Sequence, residues 1–306
     1  MKASIIIPTY NGAMKITSLL NALAGQTYRD FELLVVIDGS TDNTYEIISE
    51  SMNQFQDAKI LQQTNKGRAA SRNAGVKESK GEVLIFLDDD VEPLNNLVEL
   101  HIRHHQTMHD TILVGQLFMD IRSNKNDFFN YRYFIEQKWD SLSQNEFGSV
   151  TFENYRFTSG NLSLKRELFY TLNGFDERLI DSEDFDFCMR ALMKQIQIYF
   201  NKKIFAWHKD FSSLKGYINR VKAYKHAKNY LLKLHPEYLK LHPGSFEINR
   251  QKVNFSKQTI SRFFIYNSFW NVLLTSNPFL VLVPRKIRFK LYEIIIYSST
   301  LHDKKI

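Results

Sequence analysis

Val83-Leu84-Ile85-Phe86-Leu87-Asp88-Asp89-Asp90 joins five apolar residues to three consecutive carboxylates. An apolar run of that length, ended by turn chemistry, predicts a buried strand. Three neighbouring carboxylates at the mouth of a sheet repel one another and lose hydration, so stability alone does not explain them. A hard divalent cation resolves the conflict, which makes the triplet a candidate metal site. The plainer alternative is that aspartates cap a helix opened by Pro93, and that accounts for one acid rather than three.

Working outward, β-branched runs at 3–8, 32–38, 58–61 and 83–88 alternate with helical patterns at 14–23, 44–55 and 68–77. Crossovers of that length imply an α/β fold with parallel strands and helices on both faces. In such sheets ligands gather beyond the carboxyl ends of the strands. Those ends carry Pro8-Thr9-Tyr10-Asn11, Asp38-Gly39-Ser40-Thr41-Asp42 and Asp88-Asp89-Asp90. Further on, the pattern predicts a helix from Pro93 to about Met108, a strand over 112–119, a helix over 182–194, and strands over 196–200 and 204–207. The aromatic segment 127–139 is either a packed helix face or the lining of an acceptor cleft, and core packing is the plainer choice.

The chain has 306 residues, 43% hydrophobic and 24% charged, which suits a globular protein with ample core. Its one cysteine, Cys188, excludes an intramolecular disulfide or a cysteine zinc site and fits a reducing compartment. The apolar start is too short for a signal peptide, so a cytoplasmic location is expected. Net charge is +7, unevenly spread: residues 202–306 hold 20 Lys+Arg against 5 Asp+Glu. Such a tail points to an anionic partner, with a solvated basic face as the alternative. We therefore expect two domains, 1–212 and a basic, aromatic-rich helical region 213–306.

Several constellations carry chemistry. Asp38 ends a strand where it could accept hydrogen bonds from a base or ribose, while Ser40, Thr41 or Asp42 could cap the next helix. Asn65-Lys66-Gly67-Arg68-Ala69-Ala70-Ser71-Arg72-Asn73-Ala74-Gly75 brings cations and small residues to a helix start, which suits a nucleotide. Glu183 and Asp184, flanked by Asp181 and Asp186, complement a helix dipole, but dipole chemistry needs fewer acids, and one could be a general base. His208 alone reads as a structural histidine; with Asp90 it would give an oxygen and nitrogen set for Mn2+ or Mg2+.

In order and spacing, Ser4 to Gly12, Val36 to Asp42, Asn65 to Gly75, Leu87 to Asp90 and Ser182 to Asp184 resemble the family 2 glycosyltransferases of the GT-A fold, over roughly residues 2–208. The resemblance implies a mostly parallel open sheet flanked by helices and a nucleotide-sugar donor bound by Pro8, Thr9, Tyr10, Asn11, Asp38, Lys66, Arg72, Asp88 and Asp89. It implies a DxD signature in which Asp90, aided by His208, holds the divalent metal. It makes Asp184 the base of an inverting transfer, with Gly160, Asn161 and Glu183 on the acceptor side. The acceptor would be a glycan or a lipid-linked sugar, in polysaccharide or glycoconjugate synthesis. The Gln-x-x-Arg-Trp element of processive synthases is missing, which favours one sugar per encounter.

The tail adds a basic amphipathic helix over 215–234 and 22 uncharged residues between Arg262 and Arg285. Asn267, Asn271, Ser276, Asn277 and Pro278 interrupt that run, so it reads as an interfacial or re-entrant hairpin at the inner face of the cell membrane, or else as a helical subdomain. A competing class is a nucleotide-sugar-binding protein without transfer activity. Nucleic-acid binding draws no support from zinc-finger or RNP-like patterns, and the phosphate-loop and dinucleotide glycine motifs are missing too.

Overall fold

The computed structural model describes residues 1–122, 126–141, 146–152, 157–209, 213–241, 261–276, 280 and 282–303. They fall into two compact units, Met1–Asp120 with Gln144–Asp210, and Ile121–Ser143 with Phe211–Ile306. The second unit thus takes in the aromatic segment around residue 130 as well as the basic tail.

The strands of the first unit are β1 (Ala3–Thr9), β2 (Phe31–Asp38), β3 (Ala58–Gln63), β4 (Val83–Leu87), β5 (Val91–Pro93), β6 (Ile112–Met119), β7 (Phe147–Ser149), β8 (Asn161–Lys165) and β9 (Ile198–His208). They pair in the order β3-β2-β1-β4-β8-β6-β9-β5, with β7 also on β9. The first four strands of that order are parallel, and β8 enters antiparallel between β4 and β6. Helices α1 (Ile16–Ala24), α2 (Thr44–Ser51), α3 (Arg68–Glu78) and α4 (Leu97–Thr107) follow in the chain, α5 (Asp127–Ser141) belongs to the second unit, and α6 (Arg166–Thr171) and α7 (Glu183–Met193) return to the first.

The continuous apolar reading of the strands has a direct cause, since both faces are covered. Ile5, Ile7, Leu33, Val35, Val83 and Ile85 pack with Leu19 and Leu20 of α1 and Leu97 and Ile102 of α4. Their neighbours Ile6, Leu34, Leu84 and Phe86 turn the other way, to Val76 of α3, Phe169 of α6 and Phe187 of α7. The strand order reverses about β1, so its carboxyl end and those of β2 and β4 open on one crevice.

Two local expectations are corrected and one strand is added. Pro93 does not open a helix: it ends β5, an edge strand whose Pro93 pairs with Ala206, and α4 begins at Leu97. The two strands expected over 196–207 are one, β9, whose register against β6 jumps between Gly115/Asn201 and Gln116/Phe205. Strand β8 went unforeseen because Asn161 and Ser163 are polar yet fully buried. Histidines of α4 satisfy them: His101 bridges Ser163 Oγ (2.7 Å) and Asn161 Oδ1 (2.9 Å), and His105 Nε2 meets the same hydroxyl at 2.8 Å. Burial pushes His101 down to about 4 and His105 to about 2, so both are neutral.

In the second unit α5 is joined by α8 (Leu214–Leu234), α9 (Tyr238–Leu241), α10 (Ser268–Asn271) and α11 (Arg285–Leu301). Phe128, Tyr131, Ile218, Trp270, Leu274, Phe289 and Tyr292 form its core. Asp127 ties α5 to α11 by an ion pair with Arg288 (2.9 Å) and a bond from the Tyr292 hydroxyl (3.2 Å). Phe128 and Tyr131 are therefore core residues; the side chain of Trp139 lies outside the described residues. Of the 22-residue uncharged run, Asn277 and Pro278 also lie outside them. No described helix is long and apolar enough to cross a membrane.

Candidate active site

The loops after β1 and β2 are stitched together. Asn11, at φ 47°, accepts from the Thr41 backbone N–H at 2.9 Å through its Oδ1, and its own N–H donates to Ser40 Oγ at 3.0 Å. Gly12 N–H donates to Thr44 Oγ1 at 2.8 Å. Tyr10, between them, stands half exposed at the rim.

Asp38 closes β2 and clamps the loop that opens α3. Its carboxylate accepts from Gln63 Nε2 at 2.7 Å and from the Lys66 and Gly67 backbone N–H groups at 2.8 Å each. Gly39 has φ +71°, and a Cβ there would lie 2.7 Å from the Asn65 nitrogen, so the chain needs glycine to pass. Lys66 itself is exposed.

The triplet after β4 splits three ways. Asp88 meets Arg72 Nη2 at 2.8 Å. Asp89 turns inward, accepting from Thr9 Oγ1 at 2.7 Å and pairing with Lys15 at 3.4 Å, and burial raises its carboxyl above the ordinary range. Asp90 faces His208, Oδ2 to Nε2 3.5 Å, and β5 pairing fixes the approach because Val91 lies opposite His208. This oxygen and nitrogen pair is partly exposed and suits Mn2+ or Mg2+. Among the described residues no three His, Cys, Asp or Glu side chains gather as a cage, so a cation here would take its remaining oxygens from water or from a ligand. The donor chemistry fits the cation.

Glu183 and Asp184 begin α7 after Ser182, whose φ is 67°. Glu183 is buried against Arg72 Nη1 at 2.6 Å. Burial first, then the charge of Glu183, pushes the Asp184 carboxyl up to about 7, with Arg72 and the Phe185 N–H pulling the other way. Asp186 is consumed by Arg190 at 2.7 Å, and Arg190 also donates to the carbonyls of Leu172 and Gly174. The loop before α7 is held by Asn73, which bonds the backbone of Phe175 in both directions.

Contacts thus bring the expected residues to one edge, but in unequal roles. Thr9 and Asp89 satisfy each other and Arg72 and Glu183 are both buried. Gly160 lies against Asp88, where a Cβ would come within 2.6 Å of its carboxylate. Asn161 is fully buried, and its amide bonds His101 and the carbonyls of Gln116 and Ile204. Pro8 is buried within β1. Nothing close to Lys15, Gln63 or Phe175 in the chain marks them as partners, because each acts on a carboxylate or guanidinium far away in the chain.

The family model described as Glycosyl transferase family 2 matches residues 4–172. Glycosyltransferase GlyG of Streptococcus pneumoniae serotype 4 is 28% identical over 186 residues, 59% of this chain and 62% of that protein. The chain spans less than two thirds of the length of the first curated relatives it matches. Among solved structures, Staphylococcus aureus TarS 1–349 aligns with TM-score 0.58 at 22% identity, covering 98% of this chain and 89% of that one; a TarS complex with UDP-GlcNAc aligns similarly, at 0.56 and 20% over 100% and 93%. The mannosyltransferase PcManGT of Pyrobaculum calidifontis, in complex with GDP-Man and Mn2+, aligns at 0.60 and 17%, covering 99% and 88%. The first unit therefore has the GT-A fold, and the chain belongs to glycosyl transferase family 2.

Proposed function

We propose that the protein is an inverting, metal-dependent glycosyltransferase that moves one sugar from a nucleotide-sugar donor to a hydroxyl of a glycan or lipid-linked acceptor. The observation that carries this reading is the convergence on one edge of Asp88, Asp90 with His208, and a proton-accepting Asp184. The TarS complex with UDP-GlcNAc and the Pyrobaculum complex with GDP-Man and Mn2+ support a donor of that class.

The crevice beside Tyr10, Asp38 and Lys66 takes the base and ribose, with Asp88 at the ribose. Asp90 and His208 would hold the cation, which would offset the charge of a departing diphosphate. Asp184 accepts the proton of the acceptor hydroxyl as that oxygen bonds to the anomeric carbon. The bond from that carbon to the phosphate oxygen breaks on the opposite side, the diphosphate leaves with the electron pair, and the configuration inverts. A thermal-shift panel of UDP-, GDP- and dTDP-sugars with and without Mn2+ tests the donor: metal-dependent stabilisation by one nucleotide class is expected, and none by any would overturn the reading.

Peripheral contact with the inner face of the cell membrane is part of the same proposal. Its support is the basic balance of residues 202–306 together with Phe263, Phe269, Val272, Leu282 and Ile287, each more than half exposed in the second unit. Flotation with anionic vesicles tests it, and failure of the full chain to float would remove it.

A further inference from the structure

Taking Asp184 as the base, one buried cation still has no catalytic task. The Arg72 side chain is only 1% exposed, and its guanidinium joins two loops: Nη2 donates to Asp88 Oδ1 at 2.8 Å and Nη1 to Glu183 Oε1 at 2.6 Å, a partner 111 positions away. The guanidinium carbon lies 5.5 Å from the centre of the Phe175 ring. A nucleotide has no access to a guanidinium at that depth without breaking these bonds, so direct contact with base or ribose is a poor account of it. Stability is a poor account too, since burying an arginine between carboxylates gains little over apolar packing of the same volume.

We propose that Arg72 is a positioning residue that locks Asp88, on the donor side, to the start of α7, and so sets the place and the readiness of Asp184. The two carboxylates it holds belong to the two loops that a transfer needs in register. Donor-side and base-side groups misplaced by about 1 Å lose on the order of a hundredfold in rate. The electrostatics agree with the geometry. Around Asp184 stand Glu183 and, farther off, Asp88, both favouring its protonated form, and Arg72 and the Phe185 N–H, both favouring the carboxylate, while the Cys188 thiol also faces it.

The test reads Asp184 directly, by carboxyl-detected NMR titration of the 13C-labelled full chain, alongside the pH profile of transfer. Glu183→Gln keeps a hydrogen-bonding partner for Arg72 but removes the repelling charge, so the midpoint of Asp184 should fall by about one unit. Arg72→Gln removes the attracting charge, so the midpoint should rise, with kcat down on the order of tenfold or more and donor KM little changed. Arg72→Lys should restore the midpoint more than the rate, because an ammonium does not reproduce the two-pronged contact. A midpoint that stays put in Glu183→Gln, or in Arg72→Gln, overturns the proposal. So does a rise in donor KM alone, which would make Arg72 a ligand contact. If Arg72→Gln does not fold, the fall of the midpoint in Glu183→Gln and the loss of kcat at a near-normal midpoint in Arg72→Lys decide, and a full rate in Arg72→Lys overturns the proposal. Because the titration needs no turnover, a chain that shows the opposed shifts but transfers no sugar would refute the proposed activity and leave the electrostatic bridge standing.

Discussion

The acidic clusters at 88–90 and 181–186 look alike in sequence and are used alike only in part. In the first, Asp88 is held by Arg72, Asp89 is buried against Thr9 and Lys15, and Asp90 faces His208. In the second, Asp181 bonds the Ser182 N–H, Glu183 is buried on Arg72, Asp186 is buried on Arg190, and Asp184 is left with a raised proton affinity. In each cluster most carboxylates are held by other side chains or by the backbone, and one has surroundings that a reaction could use. They differ in what that one is suited to: Asp90 has a nitrogen donor beside it, as a cation site requires, whereas Asp184 has another acid beside it, as a proton acceptor working near neutrality requires.

Breaking the comparison at its strongest point means Asp184→Asn. Transfer should fall by about a thousandfold while nucleotide affinity stays within a few-fold, measured by single-turnover transfer and calorimetry. Undiminished transfer would move the base elsewhere. Next, Asp90→Ala should remove the Mn2+-dependent part of the donor's thermal stabilisation, a shift that Asp89→Ala should retain.

Structural members of the clusters should show the reverse pattern. Asp186→Ala strands Arg190 and should cost about 3 kcal/mol in denaturant unfolding, with kcat unchanged in the folded protein. Asp89→Ala should cost about 1–3 kcal/mol by leaving the Thr9 hydroxyl and Lys15 without their acceptor.

Two pH effects sharpen the contrast further. With Asp184 as the proposed base and its carboxyl pushed up to about 7, kcat/KM should decline as pH falls below that value, by about tenfold per unit. Stability should follow the histidines under β8. His101 and His105 are neutral in the fold and protonated in the unfolded chain below 6.5. Their contribution is therefore full above pH 6.5 and lost as pH falls toward 4, a decline that thermal melts across that range would record.

Much of this arrangement was legible beforehand, and the reasons are physical. Strands buried on both faces announce themselves as unbroken apolar runs, which is why β1, β2 and β4 were found to within a residue or two. Carboxylates at strand ends mark the crevice equally well. What stayed hidden depends on distant partners. The burial of Asn161 stayed hidden because nothing nearby reveals that His101 bonds its amide. The burial of Arg72 stayed hidden because Glu183, which it bonds, is far along the chain. Pro93 looked like a helix start because its pairing partner Ala206 lies across the sheet.

The insertion of β8 between β4 and β6 also orders events in time. On a nascent chain, β1 to β4 can assemble from neighbouring segments, but the β4 edge, Val83 to Leu87, has no partner until Asn161–Lys165 is made. Until then the most apolar strand of the sheet presents bare amides and carbonyls, the kind of edge on which chains aggregate. The bond from Arg72 to Glu183 closes later still. The crevice is thus completed only after β8 and α7 have joined the sheet, and a chain cut short before residue 165 would expose the β4 edge with its chemistry not yet assembled.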